Sequence, residues 1–263
     1  MQISGSTALL TGASGGLGQE MARGLHARGA KLILSGRRHD QLAALAAELE
    51  ARVIVADLAE DGEAERLAGD AGDVDILVAN AALPGAARLE QLTAREAERV
   101  IDVNLRAPVL LAHALIPAMI ERHKGHLVFI SSTAGRATAP GNPLYHATKF
   151  GLRGLAGALR VDLHGTGVGV SCVLPGFISD AGLFAESGAT LPRGVGTRTP
   201  KDVASAVERA IERNVAEIDV APRMLRAGTV LWSLAPDLAA SISRRAGSHE
   251  MAGVFEENLR EKR

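Results

Sequence analysis

The chain carries one cysteine, one tyrosine and one tryptophan in 263 residues, and aromatic side chains make up only 3% of it. A lone Cys172 cannot close a disulfide within the chain. Its apolar setting, Gly169-Val170-Ser171-Cys172-Val173-Leu174, reads as a buried strand position. An excess of one charge is missing as well. Basic residues number 29 against 30 acidic ones, the formal net charge is -1, and no run of like charge forms an arm for a polyanion. Nucleic acid is therefore not expected as a partner. No apolar run reaches the roughly 18 residues that span a bilayer. The start, Met1-Gln2-Ile3-Ser4-Gly5, lacks the basic stretch and apolar segment of a signal peptide. These absences predict a cytoplasmic protein without a transmembrane span. Among the scattered histidines His123 and His126 come nearest to ligand spacing, but no cysteine or carboxylate accompanies them, and no metal site is expected.

What is present suffices for a large core. With 47% apolar residues, the chain is predicted to form a single α/β domain over 1–263. Apolar runs of strand length alternate with helix-period segments, the pattern of βαβ units that build a parallel sheet. Strands are predicted at 7–10, 31–34, 52–56, 75–79, 127–131, 168–173 and 217–220, and helices at 16–28, 40–49, 145–163 and 200–214. Thr93 followed by Glu96 forms a capping box that opens a further helix running past Asn104 toward Glu121, which Pro108 and Pro117 should kink or divide.

Polar residues cluster in four places along this frame. The glycine turn Thr11-Gly12-Ala13-Ser14-Gly15-Gly16-Leu17-Gly18 falls between the first strand and first helix, where bare backbone and a helix N-terminus suit a pyrophosphate. Asn80-Ala81-Ala82 follows the fourth strand, and Ser132 follows the fifth. Tyr145 and Lys149 are four residues apart, on one face of a helix, where an ammonium favours the phenolate and should lower the phenol pKa from about 10.

Together with Asn104, and in this order, these residues closely resemble the short-chain dehydrogenase/reductase family from about Ser4 to Val220. The resemblance implies a Rossmann-type, doubly wound parallel sheet of about seven strands with helices on both faces. It also implies an enzyme that interconverts a carbonyl compound and an alcohol by hydride transfer. Tyr145 would be the general acid/base and Ser132 would orient the carbonyl. Lys149 would lower the tyrosine pKa and bind the nicotinamide ribose, and Asn104 would hold a water linking Lys149 to solvent. The cofactor would lie on Gly12, Ser14, Gly15, Gly16, Leu17, Gly18, Asp57, Leu58, Asn80, Ala81, Ala82, Tyr145, Lys149, Pro175, Gly176 and Ile178. Where a fold selective for NAD carries an acidic residue after the second strand, this chain has Ser35-Gly36-Arg37-Arg38, so Arg37 and Arg38 point to NADP(H), with NAD(H) possible. Leu83 stands where the family more often has glycine, and Asp180 where it often has threonine.

From Pro175 to Thr199 the periodicity disappears, and a glycine-rich loop over 178–199 with apolar Leu183, Phe184 and Leu191 is predicted to cover a hydrophobic substrate, with Arg193 and Arg198 at the pocket edge. The segment 223–263 departs from the family. There Val230, Leu234, Leu238 and Ile242 recur every four residues, Pro236 starts a new helix, and a dimer or lid element is favoured over a membrane-surface anchor. A homodimer or homotetramer is expected. Two alternatives to an NADP(H) enzyme stand: an NAD-linked alcohol dehydrogenase, and a nucleotide-binding regulatory protein without turnover.

Overall fold

The computed structural model describes residues 1–191, 195–245, 253–254 and 257–259, with backbone alone for 242–245. Four elements open the chain: β1 (Thr7–Thr11), α1 (Gly16–Ala27), β2 (Lys31–Gly36) and α2 (His39–Leu49). Next come β3 (Arg52–Val55), α3 (Glu63–Ala71), β4 (Ile76–Ala79), α4 (Ala94–Ile101) and α5 (Ala107–Glu121). After β5 (Gly125–Ile130), α6 (Pro143–Asp162) and β6 (Val168–Pro175) follow α7 (Gly182–Ser187), α8 (Pro200–Arg213), β7 (Glu217–Val220), α9 (Arg223–Leu234) and α10 (Pro236–Arg245).

The strands form one seven-stranded sheet in the order β3-β2-β1-β4-β5-β6-β7, every pairing parallel. Side chains alternate across it as the period of two requires. Ala8 and Leu10 pack with Met21, Leu25, Leu42, Leu45, Val203 and Val207 of α1, α2 and α8 on one face. Leu9 packs with Leu67, Leu111, Leu115 and Leu152 of α3, α5 and α6 on the other. Burying one such leucine fully contributes roughly 1.5–3 kcal/mol, so the two layers hold the sheet from both sides. The strand order reverses between β1 and β4, which opens a crevice at the C-terminal ends of those strands.

Four local readings differ from the sequence expectation. The helix α3 was not predicted; its buried Ala64, Leu67, Ala68 and Ala71 keep helical spacing between Gly62 and Gly72. Between α4 and α5 the chain does not break but passes through a π turn, Asp102–Arg106. Pro108 has no N–H to offer the Asn104 carbonyl at α-helical spacing, so the ladder is displaced just upstream of it, while Pro117 is absorbed inside α5. The resulting helical run Ala94–Glu121 is long and apolar enough, by composition, to cross a membrane, which corrects the expectation that no segment reaches that length. In the fold, Leu111, Ala112, Leu115 and Met119 of this run are buried against the sheet. Within 178–199 the expected structureless loop contains α7, and Ile178 bridges Arg198 at its base.

Candidate active site

A cleft of about 430 Å³ opens at the C-terminal ends of the central strands. Gly12, Ser14, Gly15, Gly16, Leu17 and Gly18 line one end, with Arg37, Arg38, Asp57 and Leu58 beside them. Asn80, Ala81 and Ala82 line the middle, and Ser132, Tyr145, Lys149, Pro175, Gly176 and Ile178 line the far end. Of the residues singled out from the sequence as site residues, Asn104 alone does not reach the cleft surface.

The glycines are dictated by crowding. Gly12 holds a positive φ of 65°, and a Cβ there would lie 2.8 Å from Ala81 Cα. A Cβ on Gly18 would collide with the Gly12 carbonyl. Thr11 fastens the turn to β4: its Oγ1 accepts from Asn80 N at 3.0 Å and Ala81 N at 3.1 Å, while Asn80 Nδ2 donates to Thr11 O at 3.0 Å. Nearby, the buried hydroxyl of Ser35 has no partner among the described residues. A bare backbone cradle at a helix N-terminus, with an unspent hydroxyl beside it, fits a dinucleotide.

Beside the glycine turn Arg38 donates from Nη2 to Ser14 O at 3.0 Å, whereas Arg37 only approaches Asp57 Oδ2 at 3.9 Å. Burial pushes the Asp57 carboxyl up, but the Arg99 hydrogen bond at 2.7 Å, the Ala59 N–H and the Arg99 and Arg37 charges outweigh it, and the net direction is down. Asp57 therefore stays ionised. Arg99 escaped the sequence reading because it lies 42 residues from its partner.

The far end of the cleft is built from β5, the turn after it, and α6. Ser132 Oγ donates to Pro175 O at 3.2 Å and accepts from Ala134 N at 3.1 Å. His146 staples the same turn to α6, accepting from Ala139 N at 3.1 Å through Nε2 and therefore donating from Nδ1 to Ala134 O at 2.9 Å. Burial lowers its pKa and keeps it in this neutral form. Nothing in the local sequence marks His146, which simply follows Tyr145.

Two electrostatic expectations need correction. Lys149 Nζ donates to Ile130 O at 2.9 Å and lies 5.4 Å from the Tyr145 ring centroid, facing the ring rather than bonding the hydroxyl. Burial pushes the Tyr145 phenol up to about 12 and the hydrogen bond with Ser132 pulls only partly the other way, so the ammonium does not set a low phenol pKa in this state. Burial also brings Lys149 down to about 8. Tyr145 is half-buried and opens on the cleft, so its upward shift belongs to the open site. The Asn104 side chain, in turn, is spent within the protein. Its Oδ1 accepts from Leu83 N at 2.7 Å, and its Nδ2 donates to Leu83 O at 2.9 Å and Thr148 Oγ1 at 3.3 Å. Any water relay must then use its main-chain carbonyl, which Pro108 leaves without the α-helical donor.

Over the far end lies α7, which contributes Leu183, Phe184 and Glu186 to the cleft wall. Phe184 packs on Phe177 with ring centroids 5.0 Å apart. Asp180, where the family often has threonine, takes a left-handed φ of 63°, accepts from Ser179 Oγ at 2.7 Å and is not part of the cleft wall. Leu83, which stands where the family more often has glycine, lines the cleft together with Pro84. Arg193 and Gly194 lie outside the described residues, as do Ala246 and the side chain of Ile242. Arg198 is held at the foot of the loop, its N–H donating to Phe177 O at 2.9 Å.

The description "short chain dehydrogenase" belongs to the family profile that matches residues 6–191. An uncharacterized oxidoreductase of Myxococcus xanthus is 36% identical over 226 residues, covering 82% of this chain and 88% of that protein. The ketoacyl reductase HetN of Nostoc is 34% identical over 227 residues, 83% of this chain and 79% of its own. Among solved structures, a short-chain dehydrogenase from Sphingobium yanoikuyae in complex with NADPH superposes with a TM-score of 0.78 at 26% identity, covering 89% of this chain and 95% of the other. With its parallel seven-stranded sheet, its glycine turn and these relatives, the chain belongs to the short-chain dehydrogenase family and is an oxidoreductase.

Proposed function

We propose that this enzyme uses NADP(H) to interconvert a small to medium, apolar carbonyl compound and its alcohol, with Tyr145 as general acid/base. The observation that carries the reading is that Ser132, Tyr145 and Lys149 open on the same cleft as the glycine turn and Arg37. The dinucleotide, when bound, supplies or accepts the hydride. Gly12, Gly16 and Gly18 leave its pyrophosphate room, and Arg37 and Arg38 meet the 2′-phosphate.

In reduction, Tyr145 gives its proton to the carbonyl oxygen as negative charge develops there. A phenol pKa that starts high keeps that proton available at neutral pH. Ser132 turns its hydroxyl from Pro175 O to the same oxygen and fixes its direction. Lys149, buried, binds the ribose and replenishes the proton through the Asn104 main-chain carbonyl and water. The loop 178–199, with α7 in it, excludes water once substrate is bound, and the apolar Leu183 and Phe184 select an apolar substrate. Likeness to a ketoacyl reductase supports a carbonyl next to an acyl chain as the first class to test. Exposed Val109, Phe150 and Val161 on α5 and α6 support a homodimer or homotetramer.

The ionised Asp57 at the adenosine end is the observation that keeps an NAD-linked alcohol dehydrogenase as second reading. A panel of β-ketoacyl thioesters, ketones, aldehydes and alcohols, followed at the reduced nicotinamide band with both cofactors, separates the readings. Faster turnover with NADPH supports the first and faster turnover with NADH the second. Tight cofactor binding with no turnover on any compound would favour a regulatory nucleotide-binding protein.

A further inference from the structure

We infer that Arg99 is a positioning residue for cofactor choice: by pairing with Asp57 it cancels a carboxylate at the adenosine end and leaves Arg37 available to a 2′-phosphate, an inference that rests on the NADP(H) reading above. Folds selective for NAD place an acid after the second strand, where it repels that phosphate. Here the second strand ends in Gly36-Arg37-Arg38, but Asp57, after β3, reaches into the same corner and lies 3.9 Å from Arg37 Nη1. Left alone, that carboxylate would act twice against a phosphate, drawing Arg37 onto itself and repelling the incoming anion.

Arg99 removes both effects. Its Nη2 takes Asp57 Oδ2 at 2.7 Å, and Ala59 N donates to Oδ1 at 3.1 Å, so the carboxylate is bonded on both oxygens without Arg37. The remaining acids nearby do not compete for the spare guanidinium: Glu60 stands 4.0 Å from Arg99 Nη1, and Glu63 is held by Arg66 at 2.6 Å. Arg38 is already placed against Ser14 O, at 3.0 Å, and would meet the phosphate from there with its remaining donors. Arg37, with 54% of its side chain exposed, is the cation free to move. The same corner thus contains a carboxylate and the guanidinium that would meet a 2′-phosphate, and Arg99 decides which is felt.

The test is calorimetric titration of adenosine 2′,5′-bisphosphate and 5′-AMP, which differ by the phosphate in question. The parent should bind the bisphosphate more tightly. Arg99→Gln should weaken the bisphosphate about tenfold, the scale of one charge-assisted hydrogen bond, and leave 5′-AMP within about twofold. Adding Asp57→Asn to that variant should restore the bisphosphate to within about threefold of the parent, a rescue that a merely structural Arg99 would not show. Equal weakening of both ligands, an unchanged bisphosphate, or no rescue overturns the inference. Should Arg99→Gln fail to fold, Arg99→Met, which keeps the apolar stem, decides: a bisphosphate about tenfold weaker with unchanged 5′-AMP supports it, and an unchanged bisphosphate refutes it. A parent that prefers 5′-AMP overturns the NADP(H) reading itself, whereas a parent that prefers the bisphosphate with an indifferent Arg99→Gln overturns only the role of Arg99.

Discussion

Lys149 Nζ sits 5.4 Å from the centroid of the Tyr145 ring and donates to the Ile130 carbonyl at 2.9 Å. The four-residue spacing brought the two side chains to one face, as helical geometry requires. Their electrical relation is governed by burial, which favours the neutral form of each: the phenol is driven up to about 12 and the ammonium down to about 8. The pair is therefore arranged to change when a charged or polar ligand enters the cleft, because a ribose hydroxyl can replace Ile130 O as the partner of Nζ.

Replacing Tyr145 with Phe deletes one oxygen from a half-buried ring and should leave fold and cofactor affinity nearly intact. Turnover should fall by about 100- to 10,000-fold, the range for a lost general acid. Steady-state kinetics with the best substrate of the panel checks this. Activity within about threefold of the parent would remove Tyr145 from the mechanism.

The buried lysine gives a stability prediction with a defined sign. Lys149 releases its proton near pH 8 in the folded protein, against 10.5 for the reference side chain, so between these values the unfolded chain binds more protons. Stability should then rise with pH across that window, by at most about 1.4 kcal/mol per pH unit from this group. Tyr145 acts oppositely, from 10.0 to about 12, where the folded state retains the proton. Denaturant midpoints of the parent and of Lys149→Met at pH 7.5 and 9.5 isolate the lysine: the parent should gain on the variant at the higher pH. A constant difference between the two proteins contradicts the shift. Lys149→Met should also lose both cofactor affinity and rate, and unchanged cofactor binding would show the ribose contact to be wrong.

Arg37→Ala should weaken NADPH by about 1.5–3 kcal/mol, the scale of a hydrogen bond between charged groups, and leave NADH nearly unchanged. Direct titration of both cofactors measures it. Equal loss for the two would mean that Arg37 shapes the corner without touching a 2′-phosphate.

The architecture was legible because its signals are local. Alternation of apolar strands with helical segments, the Thr93 and Glu96 cap, and the glycine turn each lie within a few residues, and each recurs in the structure. Reading failed where the cause was distant or the signal short. The helix α3 has only nine residues and a glycine inside it, so its apolar stripe was too brief to register. The six residues of α7, Gly182–Ser187, with Gly188 after them, look like loop in composition. The saturation of Asn104 by Leu83, 21 residues away, and of Asp57 by Arg99 depends on how the crossovers pack, which no window of sequence contains. The phenol shift failed for a related reason, since spacing reports which groups are close but not how much water surrounds them.

The last prediction concerns the cover of the site. The base of 178–199 is pinned by the Ile178 and Arg198 bridge, and its far side is met by Asn258, whose Nδ2 donates to Ser187 O at 2.6 Å. Between these anchors the hinge positions Gly182 and Gly188 have positive φ, and Phe184 packs on Phe177 with tilted rings. Few backbone hydrogen bonds tie α7 itself to the sheet, so amides over 181–190 should exchange rapidly without ligand and become protected when cofactor and substrate bind. Phe184→Ala removes the largest apolar group of the cover and should raise KM for bulky apolar carbonyls more than for small ones. Hydrogen exchange by mass spectrometry and paired kinetics on a small and a bulky ketone test the two halves separately. Slow exchange in the free protein, or an equal KM change for both ketones, would make this segment a fixed wall and move the search for substrate selectivity to Leu83, Pro84 and Val103 across the cleft.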